Sequence, residues 1–173
     1  MIKEIIDDEQ KKKISRAILE SLKEWFEVDS SREAYIQDSP GKLFFASFDG
    51  EKPNGFLYLK ETGASTVELA VMGVLKEFHR KGIGQELFEA AKERAKKLGY
   101  EFMQVKTVKM GVYPDYDRTN KFYLALGFKE FEVIPTYWDE ANPCQIYVMA
   151  LLPAVRESGH VNISASKSER SEL

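Results

Sequence analysis

VELAVMGVLKEFHRKGIGQELFEAAKERAKKLG, residues 67–99, is the stretch that decides how the rest of this chain is read. Its opening, Val67 to Val74, is apolar and β-branched enough for a buried strand. Its last part carries apolar residues at 87, 88, 91, 95 and 98, the period of an amphipathic helix over 84–98, closed by Gly99 as C-cap. Between the two lies a short basic loop, punctuated by Gly82 and Gly84, that opens directly into the helix. The first amides of a helix lack intrahelical partners and sit at the positive end of its macrodipole, so the junction suits an anion. Glycine lets the backbone turn tightly and come close to a ligand, while His79, Arg80 and Lys81 add side-chain donors.

Spacing separates the phosphate motifs that use this physics. A Walker loop needs four residues between its glycines and a following Gly-Lys-Ser/Thr; here one residue stands between them and Gln85 follows. A dinucleotide fingerprint needs a third glycine three residues after the second, where this chain has Leu87. What remains, a strand, H-R-K-G-I-G-Q over 79–85 and a helix, resembles the pyrophosphate loop of the GNAT superfamily of N-acetyltransferases, Gln/Arg-x-x-Gly-x-Gly/Ala. His79 stands where that family usually has Gln or Arg. A second string, F-Y-x-x-x-G-F over Phe122 to Phe128, resembles the family's last helix and following strand, at the expected distance after the glycine loop.

The resemblance covers residues 43–151, and the amino-terminal helices only in layout. It implies an α/β (α+β) fold, a mixed and twisted sheet of six or seven strands flanked by helices, with a central parallel pair that splays at the coenzyme site. It implies acetyl-CoA as co-substrate. Pantetheine would pair with exposed backbone near Met72, Gly73 and Val74, and the pyrophosphate would sit on the amides of His79, Arg80, Lys81, Gly82, Ile83, Gly84 and Gln85. Asn120 is expected as a further coenzyme contact.

Two residues carry the implied chemistry. Tyr123 matches the family tyrosine that points at the coenzyme sulfur as general acid, and a phenol with pKa near ~10 is protonated at neutral pH. The competing assignment is a core aromatic on a short helix. Glu68, fourteen residues before Gly82, matches the glutamate base of histone-acetylating members. Alternation puts it on the same strand face as Ala70, Met72 and Val74, barring a bulge. The competing assignment is a solvent-facing residue near the strand's start, with a water wire as the base.

Composition sets the outer bounds. With 173 residues, 43% hydrophobic and 31% charged, the chain fits one domain, read as residues 1–152. Beyond it, 153–173 is rich in Ser and charge and reads as a flexible polar tail, its Asn162-Ile163-Ser164 triplet a chance match to a glycosylation site. A net charge of −3 gives no basic field for nucleic acid. The single cysteine, Cys144, excludes an internal disulfide framework and reads as a packing residue. The start lacks the apolar core of a signal peptide, and no apolar run is long enough for a membrane helix, so the expectation is a soluble cytoplasmic protein without a membrane partner. Two histidines without completing carboxylate or cysteine spacing predict no metal site. A homodimer is left open.

In chain order, the patterns predict a strand at Ile2 to Ile6 and a helix capped by Asp7 or Asp8 through Phe26, with Ile14, Ala17, Ile18, Leu22 and Trp25 on its apolar stripe. A second short helix follows Asp29-Ser30-Ser31 and stops at Pro40-Gly41. Strands at Leu43 to Phe48 and Gly55 to Leu59, joined by a turn over 49–54, form a meander with the Val67 strand. A strand from Phe102 to Val108 should lie parallel to it. A tyrosine-rich loop, a helix from Thr119 to Leu126, a strand opening at Phe128, a loop over 135–143 and a last strand Gln145 to Leu151 complete the chain. Helix 84–98 is expected on one face of the sheet and the acceptor-side helices near its other end.

The acceptor is the least legible part. Tyr113, Asp115, Tyr116 and Asp117 form an acidic, aromatic loop able to wall a cationic amine, together with Tyr58, Tyr137, Trp138, Asp139 and Glu140; equally, these rings cover the sheet's end. The expected function is transfer of acetyl from acetyl-CoA to a primary amine of a small molecule or peptide, by direct attack in a ternary complex. A non-catalytic acyl-CoA-binding module and a protein-interaction domain are the other classes.

Overall fold

The chain runs β1 (Ile2–Ile5), α1 (Asp8–Ser21), α2 (Asp29–Asp38), β2 (Leu43–Asp49), β3 (Lys52–Gly63), β4 (Thr66–Val74), α3 (Ile83–Lys97), β5 (Phe102–Val108), α4 (Pro114–Ala125), β6 (Lys129–Asp139) and β7 (Asn142–Ala150). These come from a computed structural model that describes residues 1–24, 26 and 28–151. Trp25 of the expected apolar stripe and the tail expected at 153–173 lie outside the described residues.

The strands form one seven-stranded sheet in the order β1-β2-β3-β4-β5-β7-β6. Every pairing is antiparallel except β4 with β5. The meander and the parallel crossover through α3 are therefore present, with β1 added at one edge and β6 at the other. β4 and β5 pair only at Thr66↔Phe102, Val67↔Met103 and Glu68↔Gln104, although both strands run on. Beyond Glu68 they separate into a fork.

A bulge stands at the fork's apex. β3 sets Tyr58 opposite Val71 and Leu59 opposite Leu69, which leaves Ala70 as an extra residue on β4. An extra residue bends its strand and increases the local twist, which turns β4 away from β5. The bulge also corrects the expected facing of Glu68. Val67, Leu69, Met72 and Val74 pack into the core beneath α3, whereas Ala70 and Val71 pack into the core on the opposite face. Glu68, between Val67 and Leu69, thus stands across the sheet from Met72 and Val74.

Both faces are covered. α3 buries Leu87, Phe88, Ala91 and Ala95 against Leu57, Leu59, Leu69, Met103 and Val105. On the other face, Ile14, Ile18 and Leu19 of α1 and Ile36 of α2 pack on Phe44, Phe56, Tyr58 and Val71. The amino-terminal helices therefore lie across the sheet from α3, not at an end of it. At about 1.5–3 kcal/mol for each fully buried large side chain, these two layers fix the sheet that carries the fork.

Several boundaries differ from the sequence patterns for local reasons. Asp7 caps α1, accepting from the Gln10 amide at 2.7 Å, but the helix ends at Ser21, where Leu22 leaves helical geometry with its side chain still buried. β3 begins at Lys52 and tolerates Pro53 because the register with β2 shifts there. α4 starts at Pro114, so the tyrosine-rich loop is its first turn; Pro in that turn and Asp115 and Asp117 beside it suit a helix N-terminus. The loop expected over 135–143 is strand on both sides of a tight turn, where Asp139 Oδ1 accepts from the amides of Ala141 and Asn142.

Candidate active site

The site lies where the fork opens beside the start of α3. After β4, a turn at Lys76–Phe78 leads to His79, Arg80 and Lys81, all exposed. Arg80 has φ 60°, the one non-glycine residue in the left-handed region among the described residues, and Gly82 caps α3 at φ 82°. The first backbone bond of α3 runs from the Glu86 amide to the Gly82 carbonyl at 3.0 Å. The amides of Ile83, Gly84 and Gln85 precede it without a backbone acceptor, at the positive end of a fifteen-residue helix.

The two glycines do different work. A Cβ on Gly82 would meet nothing within 4 Å, so the space over the loop is open to a ligand. A Cβ on Gly84 would come within 3.1 Å of Met72 Cε and 3.2 Å of Phe122 Cζ. Gly84 thus seats the helix against β4 and α4. Gly73 does the same on the other face, where a Cβ would lie 3.0 Å from Ile18 Cγ2. The side chains expected at the coenzyme are not all aimed at the loop. His79 Nε2 is 2.7 Å from the Val74 carbonyl, and Lys81 Nζ lies over the Phe78 ring at 4.8 Å.

Tyr123 sits on α4 in the α3-side core, 8% exposed, with ring contacts to Phe122, Phe128 and Tyr147. Its hydroxyl has no hydrogen bond, yet the only enclosed unpartnered side-chain atoms among the described residues are Ser15 Oγ and Asn54 Oδ1. The hydroxyl therefore reaches solvent. Burial, followed by the neighbouring phenols of Tyr116 and Tyr35, pushes its pKa well above the ordinary value, so it stays protonated and able to donate.

Asn120, expected at the coenzyme, is engaged within the fold. It is fully buried, donating from Nδ2 to the Val108 carbonyl at 2.9 Å and the Tyr116 carbonyl at 2.7 Å, and accepting at Oδ1 from Tyr147 at 2.6 Å. Its amide pins α4 to the end of β5 and to Tyr147 within β7. Tyr58 likewise leaves the acceptor set. It is fully buried, stacked on Phe44, and its hydroxyl donates to the Tyr35 carbonyl at 3.1 Å and Asp38 Oδ2 at 3.4 Å.

The last paired residue of β4 carries a partner that sequence reasoning missed. Lys106 Nζ lies 2.6 Å from Glu68 Oε2, with the two side chains 14% and 16% exposed. The bond is diagonal, since the register partner of Glu68 is Gln104. Oε1 of Glu68 has no hydrogen bond among the described residues. Lys106 Nζ also stands over the Tyr137 ring at 5.8 Å. The half-buried Tyr35 phenol is pushed up by burial, then by the charges of Glu68 and Tyr137. Alternation along β5, Gln104 then Lys106, is the signal that would have found this lysine.

The remaining acceptor candidates divide. Tyr113 and Tyr116 pair at 6.0 Å on the first turn of α4, where Asp115 is taken by an ion pair with Arg118. Trp138 pairs edge-on with Tyr137 at 5.4 Å on β6. No ring contact joins the two pairs among the described residues. Cys144 is buried, and its thiol is pushed up by desolvation, as suits a packing residue. No group of three or more His, Cys, Asp or Glu able to hold a metal occurs among the described residues. No helix among them is long and apolar enough to cross a membrane.

Open space over Gly82, three amides without backbone acceptors and an unpaired β4 edge beyond Glu68 fit a ligand with a phosphate and an extended amide-bearing arm. Residues 12–128 match the model of the "Acetyltransferase (GNAT) family". YsnE of Bacillus subtilis, described as an uncharacterized N-acetyltransferase, is 26% identical over 103 residues, 60% of this chain and 66% of that protein, just under two thirds of its length. Among solved structures, an acetyltransferase from Desulfovibrio desulfuricans ascribed to the GNAT family is superimposable with a TM-score of 0.77 at 15% identity, over 88% of this chain and 99% of that one. An aminoglycoside 6'-N-acetyltransferase in complex with coenzyme A gives 0.68 at 18% identity, over 90% and 99%. At such identities the structural likeness is one of fold.

Proposed function

The chain belongs to the GNAT acetyltransferase family, and from that premise we propose that it moves the acetyl group of acetyl-CoA to a primary amine of a small molecule or peptide by direct attack within a ternary complex. The observation that carries this reading is the fork itself. It opens through the sheet with Glu68 on the α1 and α2 face and the Tyr123 hydroxyl on the α3 and α4 side. An amine entering from one face and a thioester from the other would meet between a base and an acid.

Bound acetyl-CoA supplies an acyl group activated as a thioester. The Ile83, Gly84 and Gln85 amides hold the pyrophosphate, and the free β4 edge from 69 to 74 aligns the pantetheine arm. Met72 and Val74 face α3 beside that arm. Val74 contributes its amide side only, because its carbonyl is held by His79. Glu68 Oε1 takes one proton from the ammonium, directly or through a water, to free the nitrogen lone pair; the second leaves the nitrogen by the same route as the nitrogen–carbon bond forms, and both pass on to solvent. Tyr123 gives its phenolic proton to the sulfur as the carbon–sulfur bond breaks, and the phenol is restored from solvent. The products are an acetamide and free coenzyme A.

One observation favours a second reading. Glu68 Oε2 is already held by Lys106, as it would be in a module that binds acyl-CoA without turning it over. The test separates the two. The protein is titrated with acetyl-CoA by calorimetry, then mixed with a panel of amines while free thiol is followed. Thiol release that depends on the amine supports the transferase; tight binding with no release for any amine supports the module.

A further inference from the structure

The charges at the fork select a class of acceptor. Glu68 and Lys106 face each other there at 2.6 Å with little exposure, so in the free protein the acceptor side carries one negative and one positive charge that cancel. Four aspartates on the surrounding elements are engaged. Asp38 takes Lys42 at 3.1 Å and the Tyr58 hydroxyl; Asp115 takes Arg118; Asp117 takes the Gly111 amide at 2.7 Å; Asp139 takes the turn amides before β7. The aromatic group that the geometry places at the pair is Tyr137, whose ring lies under Lys106 Nζ at 5.8 Å and carries Trp138 edge-on at 5.4 Å.

A monocationic amine that reaches Oε1 of Glu68 puts a second cation beside Lys106 around one carboxylate in a poorly hydrated place, an arrangement that low dielectric penalises. An acceptor with its own carboxylate beside its amine avoids this. Its ammonium takes Glu68, its carboxylate takes Lys106, and the total charge stays zero with one more ion pair than before. Resting on the acetyl-transfer reading above, we propose that the acceptor is a free amino acid, bound as a zwitterion, with Lys106 as the residue that receives its carboxylate. Tyr137, beneath Lys106, is the ring its side chain meets. A peptide amino terminus, whose carboxylate is replaced by an amide, lacks the group that Lys106 calls for.

The test compares acceptors that differ only at that group: phenylalanine with phenylalaninamide and phenethylamine, and tryptophan with tryptamine, each with acetyl-CoA while thiol is followed. The acids should exceed their amide and amine counterparts by at least roughly 10-fold in kcat/KM, mostly through KM. Lys106→Met should reduce that ratio to near one, and Lys106→Arg should keep it. A binding measurement guards against a variant that fails to fold. 3-Phenylpropanoate, which has the carboxylate and no amine, should bind the wild-type protein loaded with coenzyme A and compete with phenylalanine. Amides and amines used as well as the acids would overturn the proposal and leave the transferase standing. No thiol release from any acceptor while acetyl-CoA binds would overturn both.

Discussion

Replacing Tyr123 with Phe isolates one hydroxyl. The ring contacts with Phe122, Phe128 and Tyr147 persist, and the hydroxyl that is lost makes no hydrogen bond and reaches solvent. Stability should therefore shift by no more than about 0.5 kcal/mol, the range for a change that breaks no buried contact. Acetyl-CoA affinity should hold, because the amides at the start of α3 and the open β4 edge are untouched. Turnover should fall by roughly 100-fold, the usual worth of a positioned general acid, which at 1.36 kcal/mol per tenfold is about 2.7 kcal/mol. Burial raises the phenol above its ordinary value near ~10, so the wild-type rate should show no alkaline decline assignable to this group below that value, and the mutant's deficit should persist across neutral pH. Stopped-flow thiol release under single-turnover conditions, with a validated acceptor, reads the effect. A thioester with a more acidic thiol should recover much of the loss, since its leaving group needs the proton less. A mutant that turns over acetyl-CoA at the wild-type rate would refute the assignment and make Tyr123 a packing residue.

Three further outcomes follow from the geometry. Gly82→Val places a β-branched residue at φ 82° over the open loop; strain of about 1–3 kcal/mol and a side chain in the anion's path should cost at least roughly 10-fold in acetyl-CoA affinity by calorimetry. Asn120→Ala removes three bonds, two of them buried, and orphans the Tyr147 hydroxyl; a loss of about 2–4 kcal/mol should appear in urea unfolding with unchanged slope. On acidification, Asp8, Glu33 and Glu93 are held below their ordinary values, Asp8 first by the Gly41 amide, Glu33 by Arg16 and Glu93 by Lys96. The unfolded chain takes up these protons first. Their contribution is thus complete above the unfolded values of 3.8 and 4.5 and is lost as pH falls through the lower folded ones, which Tm measured from pH 6 to 3 should follow.

The fold was legible wherever the pattern was local. The strand, loop and helix of 67–99 and the Phe102–Val108 strand carry their own periodicity and caps, and the structure places them within a residue or so. What the pattern could not carry was anything set by a neighbouring strand. The Ala70 bulge exists only in the pairing with β3, and without it Glu68 is assigned to the wrong face. Lys106 matters because two strands separate where they do, a property of the fork and not of either strand's sequence. Asn120 and Tyr58 look like site residues by type and position, yet folding spends their polar atoms on the scaffold. Pro114 is a helix-start signal that its neighbours mask, because tyrosines and aspartates beside a proline read as loop before they read as a helix's first turn.

The central claim is direct transfer at the fork, and one labelled turnover tests it. Protein saturated with acetyl-CoA carrying an isotopic label in the acetyl group is mixed with an amine acceptor, quenched at short times and separated into protein, coenzyme and acceptor. The account predicts that label moves from coenzyme to the amine nitrogen with one thiol released per acetyl transferred, and that the protein itself is never labelled. Label appearing first on the protein, or label that never leaves a coenzyme shown by calorimetry to be bound, would contradict it.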